Sequence, residues 1–412
     1  MNFRFFKPKH KILISAHDFG LGPTSILAQS LVDNKKQQNF SFLGTEKQKN
    51  FFKQQGYRVD LAENMEKALA ERSVEAVISC FDPILVIKSW QLGIPSLYID
   101  NCLWFWQYDE KKVIDLYRKI IALKKETPAL FGKKLAELVD INTHYPFILG
   151  HLFSSKSLIQ RFGTLVEKRV DFLSKYNHSI ELFGALVPEK KLPKTYQKDS
   201  KKLIYVQLGG MLNPNTGYEF SVDYANLIGN VLNKVNSKNN YRIVLKVTPS
   251  LSHIQEKFNN LEIITTLPFK EHMSLIANCD YLIMQPGQNG IYESVYFKKR
   301  IFLLPEQTTS HTINVNEMFK EGFECDSCLS ASFYHPKKDA EDVGYLYEGL
   351  KYYLANQQRL VNSILKFLAK TEEQHKREIK SRYRTVDKLL HDFDGKNTLI
   401  AEVNLFIKNF VT

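Results

Sequence analysis

The sequence predicts an α/β protein with two domains, each built around a parallel β-sheet. A chain of 412 residues is too long for one hydrophobic core and indicates two or three domains. Apolar strands alternate with helices through the first two-thirds of the chain, the order that parallel sheets require. A polar, basic stretch at residues 190–202 interrupts this alternation, which then begins again, so we place a linker there.

The predicted first domain covers residues 1–189. Its apolar runs are short enough to be buried strands, and helical segments follow the first two of them. The predicted strands are 11–19, 40–44, 74–80, 94–100 and 179–189, and the predicted helices are 23–34 and 46–55.

The predicted second domain covers residues 203–370 and repeats the same plan. From residue 339 onward the pattern is helical, and residues 371–412 form a separate C-terminal group of helices. The predicted strands of this domain are 203–210, 241–249, 261–268, 280–287 and 300–305.

Composition limits the classes of function. No apolar run approaches the ~20 residues that cross a bilayer. Five scattered cysteines favour a reducing cytoplasm. A net charge of +12 fits either a lysine-rich solvated surface or a basic face for an anionic partner such as a membrane leaflet. No nucleic-acid-binding module is recognisable, so we expect no nucleic-acid partner.

Residues 280–322 are the most informative segment. Here an apolar strand ends at a turn containing Gly287 and Gly290, and a helix opens beside it. A helix N-terminus offers unpaired N–H groups and partial positive charge, which suits a diphosphate. Glu293 lies one turn into this helix, within reach of a sugar attached to such a diphosphate. Taken alone, the turn is weak evidence, since most glycine-rich turns from strand to helix only let the chain reverse.

This segment resembles the donor-binding motif of nucleotide-sugar glycosyltransferases of the two-Rossmann-domain (GT-B) type, a group that includes the bacterial lipid II-forming transferase and the UDP-glycosyltransferases. Glu293, Pro305 and Asn314 match the motif's Glu, strand-ending Pro and Asn, while His311 occupies its usual Gln position. Residues 268–283 also resemble the family's segment before the motif.

The resemblance implies two Rossmann-like domains facing a central cleft, with C-terminal helices packing back toward the first domain. It also implies inverting, metal-independent transfer of a sugar from a nucleoside-diphosphate sugar to a hydroxyl acceptor, with no cofactor. The acceptor would be a small molecule or a lipid-linked one, and the protein would be cytoplasmic with peripheral membrane contact as a further expectation. The implied donor-binding residues are Gly209, Gly210, Phe269, Gly287, Gly290, Glu293, His311 and Asn314.

The first strand of the chain leads into a second glycine-containing turn, which we expect on the acceptor side. Gly20 and Gly22 would let the backbone approach a ligand beyond the carboxyl end of the strand. His17 and Asp18 precede these glycines, and either could be the catalytic base. The alternative is local hydrogen bonding by His17 and a turn cap by Asp18. The family often has a His just after these glycines, where this chain has Pro23.

Other candidates are weaker. Cys325 and Cys328 form a CxxC without the second pair that a zinc site needs, so a thiol pair is the preferred interpretation. The aromatic residues 104–108 follow a strand, where they could stack on a sugar, although core packing is the default. His144, Tyr145 and His151 are taken as structural.

Two other functions stay open at this point. A nucleotide-sugar epimerase or hydrolase would share the architecture without needing an acceptor. A non-catalytic protein that binds a sugar nucleotide is the second alternative. It is suggested by Lys298 and Arg300, which replace a Gly and a Pro of the family motif, and by Pro23.

Overall fold

A computed structural model describes residues 11–18, 22–35, 39–70, 74–187, 200–209, 216–237, 240–258, 260–265, 267–332 and 343–411. The chain forms two compact units. The first consists of Met1–Ala185 together with Asp394–Thr412, and the second of Leu186–Phe393.

The first unit contains a seven-stranded parallel sheet in the order β3-β2-β1-β4-β5-β6-β7. Its strands are β1 Lys11–Ala16, β2 Asn39–Leu43, β3 Val59–Leu61, β4 Val74–Cys80, β5 Ser96–Asp100, β6 Lys156–Gln160 and β7 Ile180–Phe183. Its helices are α1 Gly22–Ser30, α2 Glu46–Gln54, α3 Met65–Ala70, α4 Pro83–Leu92, α5 Glu110–Ala122, α6 Pro128–Leu138, α7 Tyr145–Phe153, α8 Gly163–Leu173 and, at the end of the chain, α16 Gly395–Phe410.

The second unit contains a six-stranded parallel sheet in the order β10-β9-β8-β11-β12-β13. Its strands are β8 Lys202–Gln207, β9 Tyr241–Lys246, β10 Glu262–Ile264, β11 Tyr281–Met284, β12 Arg300–Leu303 and β13 Asp326–Ser327. Its α-helices are α9 Gly217–Val235, α10 Phe269–Asn278, α11 Gln288–Tyr296, α12 Thr309–Lys320, α13 Gly344–Ala355, α14 Gln357–Leu368 and α15 Glu372–Leu390, and its 3₁₀ segments are Pro249–Lys257 and Ser330–Ser332.

The predicted fold class is confirmed, since each unit is a Rossmann-like parallel sheet with helical connections. The strand order reverses direction between β1 and β4 in the first sheet and between β8 and β11 in the second. Ligands of open parallel sheets bind beyond the carboxyl ends of the strands at such points. Three strands, β3, β6 and β13, were not predicted from the sequence. β3 and β13 have three and two residues, and β6 begins and ends with polar residues.

We predicted that residues 371–412 form one group of helices that packs toward the first domain. In the structure, the helices of this segment belong to two different units. Helix α15 belongs to the second unit, where the buried guanidinium of Arg382 donates to the carbonyls of Glu324 and Lys299 at 2.9 and 3.0 Å. Only α16 belongs to the first unit, where Gly395 lies so close to the Gly184 backbone that a Cβ would overlap it. The predicted linker at 190–202 lies mostly outside the described residues.

The central strands of both sheets are buried along most or all of their length, as in other parallel sheets. Every residue of β11 is buried, as is every residue of β5. In the described part of the chain, no helix has the length and apolar character needed to cross a bilayer.

Candidate functional site

The turn from β11 to α11 lies at the point where the second sheet reverses its strand order. Gly287 is the N-terminal cap of α11, and no side chain caps this helix end. Gly290 lies in the first turn, where a Cβ would come within 2.7 Å of Met284 Cε. The glycine therefore lets the helix approach the strand closely. The free N–H groups and the helix dipole at this end can bind an anion.

Polar atoms around this turn are buried without a hydrogen-bond partner among the described residues. An unpaired buried polar atom costs about 1–3 kcal/mol and is uncommon in native proteins. Asn314 on α12 is the clearest case, since it is 1% exposed and neither atom of its amide is bonded. The complete group is Gln207 Oε1, Gln285 Oε1, Asn289 Oδ1, His311 Nδ1 and both amide atoms of Asn314. Such a group indicates a site built for a polar ligand.

His311 lies on α12 close to the β11–α11 turn. A Cβ added at Gly287 would lie 3.6 Å from His311 Nε2, so the imidazole borders the N-terminus of α11. Burial lowers the pKa of His311 to about 4, and the ring is therefore neutral at pH 7. A neutral imidazole can donate one hydrogen bond to a phosphate or a hydroxyl.

Glu293 lies on α11 and is 7% exposed. Burial raises the pKa of Glu293 to about 8, and the positive charge of Lys246 partly opposes this shift. His272 on α10 faces the carboxylate with 3.9 Å between Nε2 and Glu293 Oε2. The other ring nitrogen, Nδ1, is 2.7 Å from the Tyr205 hydroxyl. Burial and Lys246 hold the pKa of His272 well below its usual value, so this ring is also neutral.

Gly209 and Phe269 complete the described part of the predicted donor site. Gly209 has φ +63°, a backbone conformation that favours glycine, and a Cβ there would displace the Gln285 amide, which lies against it. Phe269 is the half-buried first residue of α10, which has no side-chain cap. Gly210 lies outside the described residues.

Lys298 and Arg300, the departures from the family motif, lie at the opposite edge of the second sheet, where α11 ends and β12 begins. Lys298 is exposed and has φ +53°. This left-handed conformation favours glycine, the residue that the family motif has at this position. Arg300 forms an ion pair with Glu372 and lies over the Tyr281 ring at 5.4 Å. Both substitutions are therefore remote from the β11–α11 turn.

In the first unit, His17 directly follows β1 and its backbone N–H donates to the Cys80 carbonyl at 2.9 Å. The side chain is half-buried, with its ring centroid 5.9 Å from that of Phe147. Burial lowers the pKa of His17, and the carboxylates of Asp82 and Asp18 oppose the shift. His17 is therefore neutral at pH 7 and able to accept a proton, whereas Asp18 is exposed.

The glycines of this turn are less informative. Gly22 is the exposed first residue of α1, and a Cβ there would meet no atom within 4 Å. The close approach of backbone to ligand that we expect at Gly22 therefore stays a prediction. Gly20 lies outside the described residues.

Asp82 follows β4 next to the end of β1 and was not identified from the sequence. Its carboxylate accepts from the Ser15 hydroxyl at 2.6 Å and from the Leu85 N–H at 3.2 Å. Phe81, immediately before it, is buried and has φ +59°. A bulky residue in this conformation is strained, and such strain concentrates at functional sites. The signal available in the sequence was the position of Asp82 at the carboxyl end of the strand beside β1.

The aromatic segment after β5 agrees with core packing. Trp104 and Trp106 are each 3% exposed, and Trp106 Nε1 donates to Asp100 Oδ2 at 2.7 Å. The same carboxylate oxygen lies 3.0 Å from Nε2 of the fully buried His151. His144 Nδ1 accepts from the Gln107 N–H at 2.8 Å. These contacts fit the structural roles given to His144 and His151.

Cys325 and Cys328 both remain free thiols. Burial raises the pKa of each, which makes both poor nucleophiles. Among the described residues, no group of three or more His, Cys, Asp or Glu side chains is arranged to hold a metal ion.

The chain has the two-Rossmann-domain fold of GT-B glycosyltransferases. The glycotransferase of kitacinnamycin superimposes with a TM-score of 0.57 and 12% identity, covering 98% of this chain and 100% of the other. The calicheamicin glycosyltransferase CalG4 gives 0.54 and 12%, covering 98% and 100%. The spinosyn rhamnosyltransferase SpnG gives 0.55 and 9%, covering 96% and 100%. At such identities the likeness establishes the fold. No protein-family model matches the sequence, and no curated protein matches it.

Proposed function

We propose that the protein is a glycosyltransferase that moves a sugar from a nucleoside-diphosphate sugar to a hydroxyl acceptor. The observation that carries the proposal is the group of unpartnered buried polar atoms around the uncapped N-terminus of α11. Stable proteins rarely leave so many polar atoms unpaired in one place unless a ligand pairs them. The fold shared with several glycosyltransferases supports this class of ligand.

The donor would bind at the carboxyl edge of the second sheet. The diphosphate would lie against the N–H groups at the start of α11 and the backbone at Gly209, and Gly210 stays part of the same prediction. Asn314 and His311 would bond the sugar or the phosphates, and Glu293 would accept hydrogen bonds from ribose or sugar hydroxyls. Phe269 would border the base. Each of these groups is neutral or offers N–H donors, and Glu293, whose pKa is raised to about 8 by burial, is mostly protonated at pH 7 before the donor binds.

The chemistry would begin with a base from the first unit, His17 or Asp18, that takes the proton of the acceptor hydroxyl. The oxygen would form a bond to the anomeric carbon while the bond from that carbon to the diphosphate oxygen breaks. The leaving nucleoside diphosphate would carry away the electron pair, and backbone N–H groups at α11 would stabilise its growing charge. Inversion at the anomeric carbon and independence from metal belong to the proposal and rest on the family resemblance.

A small-molecule acceptor is the preferred form of the proposal. SpnG has been crystallised with the spinosyn aglycone, a small-molecule partner of that enzyme, and its fold covers 95% of this chain with a TM-score of 0.54. A lipid-linked acceptor with peripheral attachment at the inner face of a membrane stays the second form. Sedimentation with anionic vesicles at low and high salt separates the two forms. A protein held to the membrane by its basic surface pellets with the vesicles at low salt and is released at high salt, because salt screens the attraction.

The test of the activity is incubation with a panel of sugar nucleotides, with and without a panel of hydroxyl acceptors. A transferase releases nucleoside diphosphate only when an acceptor is present. Release without any acceptor would make the protein a hydrolase, and binding without turnover would make it a non-catalytic accessory protein. The matched variant is Asn314→Leu, which removes the unpartnered amide. It should release much less nucleoside diphosphate than the unaltered protein.

A further inference from the structure

Tyr205 on β8 and His272 on α10 form a buried hydrogen bond beside Glu293. The Tyr205 hydroxyl lies 2.7 Å from His272 Nδ1, and the two ring centroids are 5.8 Å apart. Tyr205 is fully buried and His272 is 7% exposed, so neither ring can readily exchange its partner for water. Neither residue is among the proposed donor-binding groups.

The second ring nitrogen of His272 faces Glu293. His272 Nε2 lies 3.9 Å from Glu293 Oε2, which is about 1 Å longer than a hydrogen bond, so a small movement of the carboxyl group would close the contact. Burial lowers the pKa of His272 and raises that of Glu293, and the positive charge of Lys246 on β9 adds to the first shift and opposes the second. Tyr205, His272 and Glu293 therefore form a chain of polar groups with Lys246 as the neighbouring cation.

This chain can hydrogen-bond in two ways. A neutral imidazole has one N–H donor and one acceptor nitrogen, and a tyrosine hydroxyl can donate or accept. When Glu293 is protonated, its O–H can donate to His272 Nε2, and Nδ1–H then donates to the Tyr205 oxygen. When Glu293 is ionised, Nε2–H can donate to the carboxylate, and the Tyr205 hydroxyl then donates to Nδ1. The second state holds one proton fewer than the first, and that proton goes to solvent.

The proposed function requires both states of Glu293. Burial raises the pKa of this carboxyl group to about 8, so it is mostly protonated in the empty site at pH 7. Hydroxyl groups of a bound donor favour the ionised form, because a carboxylate accepts their hydrogen bonds. A partner that could only donate or only accept would suit one form and leave a buried polar group unpaired in the other, which is costly.

We propose that Tyr205 and His272 form a relay that positions the Glu293 side chain in both of its protonation states, because His272 moves its ring proton from Nδ1 to Nε2 when Glu293 ionises. The inference rests on the proposed function, since a bound donor is what ionises Glu293 at pH 7. The relay can also be observed without a donor, because raising the pH ionises the same carboxyl group. His272 is a positioning residue that acts on the donor only through Glu293.

The test is NMR spectroscopy of the full chain labelled with ¹⁵N-histidine, recorded without ligand from about pH 6 to about pH 10. The protonated and unprotonated nitrogens of a neutral imidazole differ widely in ¹⁵N chemical shift, so the spectrum reports which nitrogen carries the proton. The His272 signals are assigned by their loss in His272→Gln. We expect Nδ1 to be protonated at the lower pH and Nε2 at the higher, with the change centred near the Glu293 pKa of about 8.

Three controls separate the relay from other titrations. Glu293→Gln removes the ionisation and should leave His272 in one tautomer throughout. Lys246→Met removes the neighbouring positive charge, which raises the pKa of Glu293 further, so the change should move to higher pH without disappearing. His144 is the internal control, because its Nδ1 accepts from the Gln107 N–H at 2.8 Å and burial lowers its pKa to about 4, so its tautomer should not change.

Donor binding gives a second test that distinguishes positioning from packing. Calorimetric titration with UDP, ADP and GDP identifies the nucleotide that binds most tightly. His272→Leu offers Glu293 no polar group and should weaken the binding of this nucleotide roughly 5- to 100-fold. His272→Gln should recover most of the affinity, because its amide can present either N–H or C=O to the carboxyl group.

A single His272 tautomer across the pH range in the unaltered protein would overturn the inference. A change of tautomer that persists in Glu293→Gln, or that disappears in Lys246→Met, would overturn it as well. Equal losses of nucleotide affinity in His272→Leu and His272→Gln would assign His272 to packing and would also overturn it. Failure of every nucleotide to bind the unaltered protein, with the tautomer change present, would contradict the proposed function and leave the relay standing.

Discussion

Two buried amides, one near the carboxyl edge of each sheet, differ in their hydrogen bonding. In the first unit, Gln48 is fully buried and bonded, with its amide nitrogen 3.0 Å from the Ala16 carbonyl and 3.1 Å from the Thr24 hydroxyl. In the second unit, Asn314 is equally buried and has no partner among the described residues. The first arrangement stabilises the fold, and the second keeps hydrogen-bonding capacity available for a ligand. The second edge therefore has the features of a preformed polar site.

The largest expected effect is on turnover, because the proposed base lies in the first unit and the proposed donor site in the second. His17→Ala or Asp18→Asn should lower turnover about 10²–10⁴-fold, because the general base is lost, and should leave donor affinity within about twofold. Steady-state kinetics with an acceptor from the panel and calorimetry with the donor nucleotide measure the two quantities. If His17 is the base, its lowered pKa places the acid limb of the pH–rate profile below pH 6.5. Near wild-type turnover in both variants would show that neither His17 nor Asp18 is the base.

Replacing the buried amides tests the comparison directly. Gln48→Met should lower the free energy of unfolding by about 1–3 kcal/mol, since it leaves the Ala16 carbonyl and other partners unpaired. Asn314→Leu should raise the free energy of unfolding of the unliganded protein by about 1–3 kcal/mol, because an unpaired amide is removed, and should weaken donor binding. Denaturant unfolding and calorimetry measure these changes. Destabilisation by Asn314→Leu with unchanged donor binding would mean that Asn314 is an ordinary core residue.

The raised pKa of Glu293 gives a smaller effect that depends on pH. With a pKa of about 8, Glu293 is mostly protonated in the empty site at pH 7. Hydroxyl groups favour its ionised form, so nucleotide binding should release a proton below pH 8, and affinity should rise with pH and level off above about 8. Titrations in buffers with different ionisation enthalpies measure the proton. Glu293→Gln should release none and should show a flat profile, and proton uptake by the unaltered protein would contradict the assignment.

The smallest expected effect lies away from either edge. Lys298→Gly should raise the free energy of unfolding by about 0–1 kcal/mol, since relief of the left-handed strain is partly offset by the greater freedom of glycine in the unfolded chain. Donor affinity should not change, because Lys298 lies at the amino edge of the second sheet. Thermal unfolding measures the first quantity. A loss of donor binding in this variant would show that the departure from the family motif reaches the site.

The alternation of strands and helices was enough to predict the fold class and most strands of both sheets. The motif around Glu293 also predicted the β11–α11 turn, because glycine spacing and a nearby strand are local features. Asp82 could not be found in the same way. It is an ordinary residue at the end of a strand, and its importance depends on the strand order, which brings β4 beside β1.

The unit to which each C-terminal helix belongs could not be predicted from the sequence either. Helices α15 and α16 have similar helical patterns, yet they belong to different units. The contacts that tie each helix to its unit include the buried Arg382 guanidinium on the carbonyls of Glu324 and Lys299, and the close backbone approach at Gly395. Neither contact has a signature in the local sequence.

A crystal structure with the tightest-binding nucleoside diphosphate tests the central claim most directly. In such a structure, the diphosphate oxygens should lie within hydrogen-bonding distance of the N–H groups in the first turn of α11. The Asn314 amide should gain a hydrogen-bond partner, and Glu293 should contact a ribose or sugar hydroxyl. A nucleotide bound elsewhere, with Asn314 and the start of α11 unchanged, would contradict the proposal that this edge of the second sheet is the donor site.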